Sequence, residues 1–325
     1  MRIGLVLAGG GGRGAYHIGV WKALRETGLD KYITAVSGTS VGGLNAALFV
    51  QGDLKKAEEI WENISVEKIL SPVLGSHKKL KELATDVIER GIHQFARTGM
   101  LKIIEKDLDT RVFDTSKLDC FITCTRTRRI KENINEFKIH NEDVQCGNAF
   151  KSYSDGKAAY YEMKEFDDED RRRILLATSA IPFIFPEEKI GDYYYVDGGL
   201  KDNLPVQPLI YRSKCEKIIV VHLERDVTWN EPDFTQFHQR IIEIRPKKYQ
   251  GGIIRGTLNF HASDATNRIL EGYLDNIETF RRIKDNIDSF SYIDEKWRSV
   301  IHEDHIDSLH AIASAKRFSD KIKNI

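Results

Sequence analysis

Gly38-Thr39-Ser40-Val41-Gly42 is the stretch of this sequence whose residue types and spacing best suit chemistry. The apolar run Tyr32-Ile33-Thr34-Ala35-Val36 leads into it as a short buried strand, and Leu44-Asn45-Ala46-Ala47-Leu48-Phe49 leaves it in good helix formers. A strand that turns sharply into a helix at a serine lifts the hydroxyl clear of the sheet, as in a nucleophile elbow. Gly38 and Gly42 let the two backbones pass closely with no Cβ between them. Ser40 is therefore the candidate nucleophile. Alone, the pentapeptide also fits a plain Gly/Ser turn, so its context must decide.

The context includes a second glycine-rich stretch. Gly9-Gly10-Gly11-Gly12-Arg13-Gly14 follows the apolar strand Arg2–Ala8 and precedes a helix over Ala15–Thr27, which Gly28 closes as a C′ glycine. Gly9-x-Gly11-x-x-Gly14 formally matches a dinucleotide-binding fingerprint, which would make the chain an oxidoreductase. That reading needs an acidic residue at the end of the second strand, where this sequence has Ser37-Gly38-Thr39-Ser40. The competing reading is an oxyanion hole: successive glycines expose backbone N–H groups just ahead of a positive helix end. A hole on the strand next to the nucleophile's strand suits acyl transfer, and this reading is preferred.

These motifs need a scaffold, and the rest of the chain reads as one. Its 325 residues are 41% hydrophobic and 30% charged, a composition that supports a sizeable core. Forty-nine basic residues balance forty-nine acidic ones, so no overall field points to nucleic acid. Cys120, Cys124, Cys146 and Cys215 lack a secreted spacing and read as free thiols of a reducing compartment. No window reaches the ~18 apolar residues that span a bilayer, which leaves any membrane contact peripheral. Further strands are expected at 118–125, 193–196, 217–223 and 240–244, with Ala158–Tyr161 in a hairpin region. Helices are expected at 54–66, 78–90, 92–108, from the acidic run Asp167–Asp170 through Thr178, and from Gly256 onward. Arg126, Arg128, Arg129 and Lys131 read as a solvated strand end, and Ser179–Pro186 as an apolar loop able to wall an acyl chain. The result is a mostly parallel α/β chain.

Other reactive residues are weaker candidates. Asp197-Gly198-Gly199 is a turn after a strand, and Asp202 is a second carboxylate five residues on without flanking glycines. His17 and His222 read as structural, and no late histidine completes a Ser-His-Asp order. His302, Glu303, Asp304, His305 and His310 read as solvated side chains of a charged helix rather than metal ligands.

The glycine loop with Arg13, the Gly38-x-Ser40-x-Gly42 elbow, Ala180-Ile181-Pro182-Phe183 and Asp197-Gly198-Gly199 occur in the order and rough spacing of patatin-like phospholipases, which the chain resembles over about residues 2–275. Gly256–Phe260 and Leu270–Tyr273 resemble that family's late helix. The resemblance implies a three-layer α/β/α fold with a serine elbow over 1–275, leaving 276–325 as a helical C-terminal extension. It implies a phospholipase A-type serine hydrolase of lipid acyl esters, acting without metal or cofactor on a lipid or phospholipid. By the same resemblance Ser40 is the nucleophile, Asp197 its base, and the N–H groups of Gly10, Gly11 and Gly12 the oxyanion hole. Gly9, Arg13, Gly14, Gly38, Gly42, Gly198 and Gly199 support the motifs. A cytoplasmic protein that meets membranes at their surface is expected, and a regulated lipid-binding effector of the same fold is the alternative.

Overall fold

Continuous β-branched runs bury both faces of a strand, which drives them into the interior of a sheet covered on two sides. The computed structural model describes residues 1–69, 71–72, 95–96, 98–129, 156–182, 184–227, 241–289, 292 and 296. Its main sheet contains β1 (Ile3–Leu7), β2 (Ile33–Thr39), β5 (Asp119–Arg129), β6 (Lys157–Glu162), β7 (Glu188–Ile190), β8 (Tyr193–Asp197), β9 (Lys217–Val221) and β10 (Ile241–Ile244). A separate antiparallel pair joins β3 (Ser71–Pro72) to β4 (Phe95–Ala96). The strand order is β10-β9-β1-β2-β5-β8-β7, with β6 also paired to β5. From β10 to β5 neighbouring strands are parallel, whereas β6 and β8 run antiparallel to β5. Every residue of β1 is buried, as the middle of a covered sheet requires.

Helices cover both faces. α1 (Ala15–Thr27) ends at Gly28 in the left-handed region, φ 72°. It packs on α2 (Val41–Gln51) through Trp21 and Phe49, whose rings lie 5.0 Å apart, and through the Asn45 amide, which donates to the Gly14 carbonyl. Asp167 caps the helix Asp168–Thr178 by accepting from the Asp170 N–H, and acids fill its first turn, as dipole complementation requires. Successive residues of a strand face opposite sides. Ile122 faces α2 and Thr178, while Phe121 lies beneath the Arg212 guanidinium, 5.2 Å away, beside the helix Gln207–Tyr211. The architecture is α/β/α in three layers.

One feature of β5 positions the site. β6 occupies one edge from Phe121 to Arg126. The other edge is shared: β2 arrives with Thr39 opposite Thr123, and β8 arrives from the opposite direction with Asp197 opposite Cys124. Two strands thus meet end to end on one edge of a third.

Several expectations shift. β5 continues through the arginines instead of ending before them, because β6 and β8 pair with that stretch and the Arg126 guanidinium stacks 4.6 Å from the Tyr193 ring centre. The helix expected over 54–66 stops at Glu62 and resumes as Val66–Ile69. The one expected over 92–108 begins at Thr98, because Phe95–Ala96 pairs with Ser71–Pro72. The expected helix 78–90, Cys146 and Lys131 lie outside the described residues. The helical Gln207–Tyr211 and the strand Glu188–Ile190 have no counterpart in the sequence reading. A π-turn at Ile253–Thr257 precedes a helix that begins at 262, in place of one uninterrupted helix from 256. The chain divides into two compact units, Met1–Ile277 and Glu278–Ile325. In the second, residues 278–289 are helical and Lys284 pairs with Asp288 at 2.6 Å. No helix among the described residues is long and apolar enough to cross a membrane.

Candidate active site

Ser40 stands between the last residue of β2 and the first of α2, at φ 55° and ψ −129°. A non-glycine residue in that region is strained by roughly 1–3 kcal/mol, a cost that persists only where surrounding structure fixes it. Two features fix it here. The Ser40 N–H donates to the Thr178 hydroxyl at 2.8 Å, and that hydroxyl donates on to the Thr123 carbonyl at 2.5 Å. The second is close packing of α2 on β1: any Cβ at Gly42 would overlap the Leu7 carbonyl oxygen. Gly38 lies against the Gly42 carbonyl, so both glycines of the pentapeptide sit within the elbow.

Asp197 ends β8 and caps the short turn Gly198–Leu200, its Oδ1 accepting the Gly199 N–H at 2.8 Å. Its own N–H donates to the Ala180 carbonyl. Gly198 packs against the Thr123 carbonyl and the Thr39 methyl, so the turn lies directly on the residue preceding Ser40. Ser40 and Asp197 expose only 6% and 7% of their surface, so both side chains are shielded from bulk water.

The glycine loop runs beside them. Gly9 lies against Ser40: a Cβ built on Gly9 falls 3.2 Å from the Ser40 Cβ. Gly11 adopts φ 58°, a conformation that favours glycine, and its α-carbon abuts the Thr257 carbonyl, where a side chain would not fit. Gly14 touches Val41 at the start of α2. Two buried guanidiniums hold the loop carbonyls. Arg13 pairs with Glu224 at 2.7 Å and donates to the Thr257 hydroxyl and the Gly10 carbonyl. Arg268 donates to the carbonyls of Gly12, Asn259 and Arg255, and burial pushes its pKa down. Among the described residues the N–H groups of Gly10, Gly11 and Gly12 have no protein acceptor, whereas the Gly9 N–H donates to Asn203.

The rival carboxylate is engaged elsewhere. Asp202 accepts from the Tyr160 hydroxyl at 2.7 Å and from the Leu204 N–H at 3.0 Å, and burial raises its pKa. His17 and His222 are buried, and desolvation lowers their pKa values to about 3 and about 4. Both are neutral framework residues: His17 meets the Asn45 amide, and His222 meets Glu243 at 3.0 Å. Ile184 and Phe185 of the 179–186 loop are buried. They do not line the apolar cavity beside the elbow, whose walls come from Val41, Leu44 and Leu48 of α2, Trp61, Ile104 and Phe260. Cys120, Cys124 and Cys215 are buried free thiols. Among the described residues no group of three or more His, Cys, Asp or Glu is placed to hold a metal ion, and the His302–His310 cluster lies outside them.

Thr178, Asn203 and Arg268 escaped the sequence reading. Thr178 ends a helix and Arg268 sits in a long charged one, with nothing local to mark either. Asn203 follows the Asp197 turn by six residues, and that proximity was its one signal.

A buried serine in a strained strand-to-helix elbow, on a mixed sheet with helices on both faces, defines a serine-elbow α/β/α protein. Comparison with known proteins narrows this: the model of the patatin-like phospholipase family matches residues 5–210, and the chain belongs to that family. It is 37% identical over 97 residues to human patatin-like phospholipase domain-containing protein 6, covering 28% of this chain and 7% of that protein. It is 53% identical over 49 residues to patatin-like phospholipase domain-containing protein ZK370.4 of Caenorhabditis elegans, covering 15% of this chain and 4% of that one. The chain therefore spans less than a tenth of the length of these curated relatives. Human GIVD cytosolic phospholipase A2 shares the fold, with a TM-score of 0.50 at 9% identity over 87% of this chain and 59% of that one.

Proposed function

We propose that this protein is a serine lipid acyl hydrolase of phospholipase A type, with Ser40 as nucleophile and Asp197 as its base. The observation that carries the reading is the end-to-end meeting of β2 and β8 on β5, which brings the serine elbow and the Asp197 turn together. Ser40 Oγ attacks the acyl carbonyl carbon, its proton passes to Asp197, and the carbonyl π pair moves onto oxygen. The N–H groups of Gly10, Gly11 and Gly12 face that oxyanion, and each well-placed donor lowers the barrier by roughly 3 kcal/mol. The intermediate collapses with cleavage of the ester C–O bond, and the proton moves from Asp197 to the departing alkoxide. Water, deprotonated by the same carboxylate, then attacks the acyl-enzyme, and fatty acid leaves as Ser40 regains its proton.

An aspartate is a weak base, with a reference pKa near ~3.9. A dry site, a well-held oxyanion and a fixed serine geometry compensate by stabilising the transition state ahead of full proton transfer. The apolar cavity beside Val41, the residue after Ser40, holds about 60 Å³, which takes only a short part of the acyl chain next to the ester. Residues 1–275 form the hydrolase domain. The enzyme works in the cytoplasm and meets its lipid at a membrane surface, without metal or cofactor.

The test is fatty-acid release from phospholipid vesicles and from short-chain nitrophenyl esters, with chelator present. Release by the wild type that disappears in Ser40→Ala and Asp197→Ala supports the reading. Release that chelator abolishes contradicts it.

A further inference from the structure

We infer that Asn203 is a positioning residue that locks the oxyanion loop to the turn carrying Asp197, and so orients the Gly10 N–H. The inference rests on the hydrolase reading above and extends it to a residue with no assigned role.

Asn203 grips both sides of Gly9. Its Oδ1 accepts the Gly9 N–H at 3.1 Å, and its backbone carbonyl lies 3.4 Å from the same donor. Its Nδ2 donates to the Gly9 carbonyl at 3.4 Å. A trans peptide is planar, with its N–H directed opposite to its C=O. Tying the Gly9 carbonyl towards Asn203 therefore turns the next group in that plane, the Gly10 N–H, away from Asn203. The Arg13 Nε does the same for the following peptide through the Gly10 carbonyl, at 3.3 Å.

Asn203 also belongs to the acid's side of the site. A Cβ built on Gly199 lies 3.1 Å from both the Asn203 Oδ1 and the Asp197 Oδ1. The preceding residue, Asp202, accepts the Thr39 hydroxyl through its backbone carbonyl at 2.8 Å, beside Ser40. The segment 197–203 thus touches the acid, the elbow and the glycine loop, and the Asn203 amide is its bond to the loop. Asparagine suits this position because it offers an acceptor and a donor on one rigid amide plane. Aspartate retains the acceptor but faces the Gly9 carbonyl with a second lone pair and adds a negative charge near Asp197.

The test separates orientation of the loop from mere folding. A long-chain trifluoromethyl ketone adds Ser40 Oγ to its carbonyl carbon, placing a tetrahedral oxyanion in the hole, while the matching methyl ketone binds without appreciable addition. Adduct formation is followed by fluorine NMR in wild type, Ser40→Ala, Asn203→Ala and Asn203→Asp, alongside ester turnover and thermal midpoint. For Asn203→Ala the expected result is a fall in kcat of about 10- to 100-fold, short of the ~100- to 1000-fold that follows outright removal of an oxyanion donor, and a parallel weakening of the trifluoromethyl ketone. KM and methyl ketone affinity should stay within about twofold, since only transition-state interactions are lost. Asn203→Asp should lose kcat similarly and move the acid limb of its pH profile upward, because a like charge disfavours ionised Asp197. Unchanged kcat and unchanged inhibitor ratio in both folded variants would overturn the inference while leaving Ser40 intact. Adduct or turnover that survives Ser40→Ala would instead overturn the underlying hydrolase reading.

Discussion

Thr39 and Asp197 pair with consecutive residues of β5, Thr123 and Cys124, along the same edge. One belongs to a strand running parallel to β5, the other to a strand running against it. Both strands end there, so the elbow that follows Thr39 and the turn that begins at Asp197 are neighbours although they come from chain segments over 150 residues apart. Hydrogen bonding of a single strand edge sets their separation, with no dependence on long loops.

The Thr178 hydroxyl extends that control. Thr178→Val preserves the side-chain shape but strips partners from the buried Ser40 N–H and Thr123 carbonyl. The expected loss is about 1–3 kcal/mol of stability, typical of an orphaned buried polar group. A fall in kcat of about tenfold should accompany it, the kinetic equivalent of ~1.4 kcal/mol. Thermal unfolding and ester turnover on the same sample check both.

Strain at Ser40 gives a prediction of opposite sign. Ser40→Gly removes the penalty of a side chain at φ 55°, so the variant should unfold at a higher temperature than the wild type while losing all hydrolysis. A lower midpoint would mean that the elbow is not strained.

Gly42→Ala should be far more damaging than its size implies. The added methyl overlaps the Leu7 carbonyl, so helix α2 must move off β1. The cost should exceed the ~1–3 kcal/mol of ordinary overpacking, because neither backbone can rotate away. Soluble yield and midpoint relative to the wild type report it.

The buried histidines set an acid limit. His17, with its pKa lowered to about 3 by burial, binds no proton in the folded chain at a pH where an unfolded histidine of pKa about 6.5 does. The unfolded state then holds more protons, so stability is complete above pH ~6.5 and declines as pH falls towards the folded value. The unfolding midpoint of the wild type should drop steadily from pH 6.5 to 4, and His17→Gln should flatten that slope. His222 acts in the same direction, towards its own value of about 4.

How much of this was legible in the sequence follows from how local each signal is. The first helix, its glycine cap and the elbow at Ser40 were readable, because strand, turn and helix preferences all act within a few residues there. The mostly parallel α/β character followed from the alternation of apolar runs with amphipathic ones, whereas the three layers followed only from the resemblance to the family. The path of β5 through Arg126 was hidden, since its pairing with β6 and β8 overrides the polarity of that stretch. The 95–96 strand was hidden for the same reason. Thr178, Asn203 and Arg268 were invisible, because the elbow or glycine-loop residue that each holds lies between about 140 and 260 positions away and no local pattern marks such a contact.

The most direct measurement is acylation of Ser40 itself. Wild type, Ser40→Ala and Asp197→Asn are mixed with a nitrophenyl ester under stopped flow, and the protein is then quenched and digested to locate the acyl group by mass. The expected result is a nitrophenol burst in the wild type with the acyl group on the peptide bearing Ser40, no burst in Ser40→Ala, and a burst slowed at least 100-fold in Asp197→Asn. An acyl group on any other residue, or a full-rate burst in Asp197→Asn, would contradict the dyad.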